Sequence, residues 1–72
     1  MADRVMYVKP GCPWCDMARE DLSAEGLEWE ERDATVDPAW REELMRFSEG
    51  TGRVPTLVEG DEVLSVGWKG GG

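Results

Sequence analysis

The chain has 72 residues, enough for one small domain whose single core sits near the lower limit of independent stability. Its 16 acidic residues outnumber 8 basic ones, and the resulting net charge of −8 speaks against a nucleic-acid partner, because phosphates reward a basic face. No apolar run approaches the roughly 18 residues of a membrane span, and the start of the chain lacks the basic-then-apolar pattern of a secretory leader. Two cysteines are too few for a secreted disulfide scaffold, so a single cytoplasmic domain over residues 1–72 is expected. The acidity itself is what a well-solvated surface requires.

Arg4 to Val8 is a short run of strand formers, closed by the turn signal Lys9-Pro10-Gly11. From Pro13 the period becomes helical. Trp14, Ala18 and Leu22 recur on one face beside Cys15 and Met17, with Asp16, Arg19, Glu20 and Asp21 on the polar side. Gly26 ends that helix. Leu27 to Asp33 alternates apolar and charged residues and reads as an exposed strand, with Glu28, Glu30 and Arg32 on one face. Asp37 and Pro38 then supply the N-cap and first position of a second helix, whose apolar stripe is Trp40, Leu44 and Phe47. Glu49-Gly50-Thr51-Gly52 stops it. Val54–Val58 and Glu62–Val66 flank Glu59-Gly60-Asp61, which suits a tight hairpin. The stretch from Gly67 to Gly72 reads as a flexible, unpacked tail.

The order strand, helix, strand, helix, strand, strand predicts an α/β domain built on a mixed four-stranded sheet. A helical crossover makes the first two strands parallel, and the final hairpin is antiparallel. Trp29, Trp40, Leu44 and Phe47 are the expected core.

Both cysteines lie in Lys9-Pro10-Gly11-Cys12-Pro13-Trp14-Cys15. With Cys12 at the N-cap, Pro13 occupies the first helical position, where a missing N–H costs nothing. The amides of Trp14 and Cys15 then point at the Cys12 sulfur, and the positive end of the helix dipole, with Lys9 as a nearby cation, favours its thiolate. Cys15 lies one turn behind, at a separation that suits a disulfide. So short a loop restrains the unfolded chain little, so the pair makes a weak staple and a good working dithiol. Cys12 would attack and Cys15 would resolve. A zinc or iron–sulfur module is the alternative, but with one Cys-x-x-Cys and no histidine it would need two chains.

Three motifs in register extend this reading: Val8 to Cys15, Arg53-Val54-Pro55-Thr56-Leu57-Val58, and Val66-Gly67-Trp68-Lys69-Gly70-Gly71. Together they resemble the glutaredoxins, and the resemblance spans nearly the whole chain. It implies a thioredoxin-like fold, with Pro55 in the cis form facing the cysteines and Val54 offering its main chain to a substrate. It implies exchange with disulfide-containing or glutathionylated proteins, no bound metal or organic group, and glutathione as co-substrate. Pro13, Trp14, Gly67 and Trp68 would line the site, and Lys9, Arg53 and Lys69 would give it a positive rim, with Arg41 a weaker candidate. Trp68 has a simpler alternative role, as a plug for an exposed sheet face.

Two departures bear on this. Glutathione-using members carry Thr-Val-Pro and a later Gly-Gly pair followed by an aspartate, where this chain has Arg53-Val54-Pro55 and Gly67-Trp68-Lys69. The latter is closer to redoxins that draw electrons from thioredoxin reductase and serve ribonucleotide reductase. The family's third helix is also missing, which should leave apolar surface open and favour a weak homodimer, segment exchange or a chain cut short.

Overall fold

The computed structural model describes residues 3–71. Its elements are β1 (Arg4–Val8), α1 (Pro13–Ala24), β2 (Glu30–Asp33), α2 (Pro38–Phe47), β3 (Thr56–Glu59) and β4 (Glu62–Val66). They form one sheet in the order β2-β1-β3-β4. β1 runs parallel to β2 and antiparallel to β3, and β3–β4 is the antiparallel hairpin the sequence predicts.

β1 is central, and its side chains therefore sort to two covered faces. Tyr7 points toward α2: its ring stands 5.9 Å from Phe47 and its hydroxyl donates to Glu43 at 2.7 Å. Burial, then the Glu43 hydrogen bond, pushes the Tyr7 hydroxyl up to about 12. Met6 and Val8 take the opposite direction and join Leu57 and the buried stripe of α1, Cys15, Ala18 and Leu22, in the core cluster. α2 begins as expected, with Asp37 accepting from the Ala39 amide at 2.8 Å and Pro38 at the first position. Of its apolar stripe only Leu44 is fully buried; Trp40 and Phe47, like Trp29, are partly exposed and lean against the core.

Three expectations change. The second strand starts at Glu30, not Leu27, because the chain first turns off α1 through Gly26 at φ 72°, with the Leu27 amide donating to the Leu22 carbonyl. The third strand starts at Thr56, not Val54, because Pro55 has no N–H for the ladder. The glycine-rich end, as far as Gly71, is not an unpacked tail. Trp68 and Gly71 exchange two main-chain hydrogen bonds of 2.8 Å, and the Gly67 amide donates to Pro55 at 2.8 Å. Gly72 lies outside the described residues.

Leu44→Ala should cost about 2–5 kcal/mol by urea denaturation, because it empties a fully buried position. Val36→Ala, at a residue 70% exposed, should stay within about 0.5 kcal/mol of the parent chain.

Candidate active site

Cys12 caps α1 from extended backbone at φ −99° and ψ 106°, and the Cys15 amide donates to its Sγ at 3.1 Å. The second expected donor, the Trp14 amide, makes no such bond among the described residues, so one amide rather than two faces the sulfur. Pro13 occupies the first turn. Both cysteines are free thiols, Cys12 half-buried and Cys15 wholly buried. Burial, then the contact with Cys12, pushes the Cys15 thiol up to about 12 against an ordinary value of 9.0. The pair is thus asymmetric: an accessible sulfur at the positive end of a helix, and a hidden one held as the thiol.

The opposite wall is main chain. The Cys12 S–H lies 3.7 Å from the Val54 carbonyl, at the cis Val54–Pro55 bond that the resemblance implied. Thr56 Oγ1 ties the preceding turn by donating to the Arg53 carbonyl at 2.7 Å. Beyond Pro55 the wall continues into Gly67, whose φ of 79° suits glycine and whose lost side chain makes room for Arg53. A Cβ there would stand 3.2 Å from Arg53 Nη2.

On the near side, Lys9 Nζ donates to the Gly52 carbonyl at 3.3 Å. It shares a groove of about 450 Å³ with Thr35, Arg41, Met45, Thr51 and Gly52. Arg41, the weaker candidate from sequence, thus shares this groove with Lys9. Its position one turn into the second helix was the available signal, but only the fold shows which loop that turn faces.

Lys69 and Trp68 behave otherwise than expected. Lys69 Nζ pairs with Asp21 at 3.2 Å and Trp68 Nε1 donates to the same Asp21 oxygen at 2.8 Å, so both side chains turn onto α1. Trp68 is half-buried against the core, which is the plug rather than the rim. The two donors, Trp68 first and then Lys69, hold the Asp21 carboxyl below the usual carboxylate range. Trp14, between the two cysteines in sequence, remains 39% exposed. Gly71 closes against one edge of it, so tightly that a Cβ at that position would overlap the indole.

A sheet of this topology presenting a capped, asymmetric Cys-x-x-Cys opposite a cis-proline turn defines a thiol–disulfide oxidoreductase of thioredoxin-like fold. The comparisons with known proteins narrow this. The family model for glutaredoxin matches residues 5–64, and the chain belongs to the glutaredoxin family. Among solved structures, a mutant of the thioredoxin-like protein BC3987 is 30% identical with a TM-score of 0.76, over 92% of this chain and 83% of that one. The glutaredoxin grx-1 of Archaeoglobus fulgidus is 26% identical with a TM-score of 0.70, over 94% of this chain and 77% of that one. A glutaredoxin of Brucella melitensis is 37% identical with a TM-score of 0.56, over 79% and 59% of the two chains. No curated protein sequence matches significantly. No helix among the described residues is long and apolar enough to cross a membrane.

The raised Cys15 thiol has a signed consequence. Between the unfolded value of 9.0 and the folded value of about 12, the native chain keeps a proton that the unfolded chain has lost. Stability of the reduced protein should therefore be full below pH 9 and fall as pH rises toward 12, with Tyr7 adding to the loss above 10. Urea denaturation across that range checks it, and Cys15→Ala should flatten the part of the slope that begins first. At neutral pH, iodoacetamide followed by peptide mapping should label Cys12 and spare Cys15.

Proposed function

We propose that the chain is a cytoplasmic dithiol oxidoreductase that reduces protein disulfides and glutathione mixed disulfides, with glutathione as its reductant. The observation that carries this reading is Cys12 Sγ at a helix N-terminus, 3.1 Å from the Cys15 amide and facing the Val54 main chain at 3.7 Å. In the first step the Cys12 thiolate attacks one sulfur of the substrate disulfide. A Cys12–substrate disulfide forms, and the other sulfur leaves as a thiolate that takes a proton from water. Cys15 then gives up its proton and attacks Cys12 Sγ, releasing the substrate as a second thiol. The substrate gains two electrons and two protons, and the chain holds the Cys12–Cys15 disulfide. Two molecules of glutathione return it to the dithiol, themselves forming one disulfide.

The burial of Cys15 fits the second role. Its thiol stays protonated until a mixed disulfide at Cys12 gives it a partner, so the first attack falls to Cys12. The Val54 main chain suits an extended substrate added as one more strand. The groove with Lys9 and Arg41 suits a carboxylate of the reductant.

One observation favours a second donor, a flavoprotein thioredoxin reductase. Where glutathione-using members carry an aspartate after the glycine pair this chain has Lys69, and Lys69 turns with Trp68 onto Asp21. The deciding measurement gives the oxidised protein either glutathione with glutathione reductase, or thioredoxin reductase, and follows NADPH consumption. Turnover with the first alone is expected; turnover with the second alone reverses the assignment of donor.

Cys12→Ser should abolish exchange with either donor. Cys15→Ser should retain reduction of a glutathionylated peptide and accumulate mixed disulfides with protein substrates, seen as a mass increase on intact protein. Turnover by Cys12→Ser would invert the assigned roles.

A further inference from the structure

Four of the eight basic residues are held by acids. Arg4 pairs with Glu59, Arg19 with Asp16 and Glu31, Arg32 with Glu30 and Glu43, and Lys69 with Asp21. Lys9, Arg41, Arg46 and Arg53 have no acidic side chain within ion-pair distance among the described residues, although acids outnumber bases 16 to 8. On a surface so rich in carboxylates, an unpaired cation is one that the chain's own acids leave open to a ligand. Three of these four border the strip of main chain that faces Cys12.

Their placement is two-sided. Lys9 and Arg41 share the groove beside Thr51 and Gly52, where the strip begins. Arg53 lies over Gly67, which is bonded to Pro55 where the strip ends. Val54 is between them, with its carbonyl 3.7 Å from Cys12 Sγ. Asp21 removes Lys69 from contention, so Arg53 is the one unpaired cation found at the Gly67 end among the described residues.

We infer that the site selects protein cysteines flanked on both sides by acidic residues in an extended segment. This rests on the exchange reaction proposed above and names its preferred protein substrates. A segment added along Val54 advances about 3.3 Å per residue, so residues one or two places from the reacting cysteine come within reach of the long Lys and Arg side chains at either end. The net charge of −8 opposes an acidic ligand only at long range, and beyond about 8 Å it is screened at physiological salt. At contact the local cations dominate. Arg53 sets the preference at one end, and Lys9 with Arg41 sets it at the other.

The test uses three terminally blocked peptides, each with one cysteine in mixed disulfide with uncharged 2-mercaptoethanol and flanked by two Asp, two Asn or two Lys. At physiological salt kcat/KM should fall in the order Asp, Asn, Lys, spanning roughly tenfold, as several exposed ion pairs acting together allow. High salt should compress the span. Arg53→Gln and Arg41→Gln should each narrow it, read within each variant as the ratio of kcat/KM for the Asp peptide to that for the Lys peptide, so that any change common to all three peptides cancels. Arg4→Gln removes the same charge at the far end of β1 and should leave the span intact. Equal kcat/KM for the three peptides, or a span that Arg4→Gln narrows as much as Arg53→Gln, overturns the selectivity while the exchange reaction stands. No turnover of any peptide overturns the exchange reaction, and the selectivity with it.

Discussion

The hydrogen bond from the Cys15 amide to Cys12 Sγ is the contact on which the rest of the site depends. It exists because Cys12 caps a helix, and the helix starts there because Pro13 follows. A cap of this kind is worth only about 1 kcal/mol, too little to hold α1 in place by itself. The burial of Cys15, Ala18 and Leu22 against the sheet does that. The stripe that anchors the helix includes one of the two thiols. Packing and chemistry therefore share a residue, and Cys15 cannot be buried for stability without also being withheld from solvent.

α1 also carries the second constraint on the site. Its N-terminus presents the cysteines, and two turns later Asp21 grips Trp68 and Lys69. The turn so held returns to the site at two points, through the Gly67 amide on Pro55 and through Gly71 on Trp14. One helix thus sets both the Cys12 sulfur and part of the wall opposite it. Ion pairs at the surface are individually weak. Asp21 gains from accepting an indole N–H and an ammonium together, in a half-exposed position where its depressed pKa reports the same stabilisation.

Much of this was legible in the chain itself, because the signals are local. Cys12, Pro13, Asp37 and Pro38 announce their helix starts through capping and φ restriction, and Gly26 and Gly60 mark turns through their left-handed backbone. The redox assignment needed only two cysteines one helical turn apart. What stayed hidden depends on pairs distant in sequence. No periodicity reveals that Lys69 will meet Asp21 rather than solvent, or that Arg41 will share a groove with Lys9. Strand lengths failed at their starts for a related reason. Leu27 to Trp29 have the alternation of a strand, but the chain needs those residues to travel from the end of α1 to the sheet edge.

The contact between Gly71 and Trp14 ties distant parts of the chain to one another. The indole stands between the two thiols in sequence and beside them in space, and it is backed by a residue that has no room for a side chain. Drift at position 71 is therefore answerable to the redox pair rather than to local turn preference. The glycine run that looks like low-complexity filler includes a position at which only one of the twenty residue types fits while the ring keeps its place.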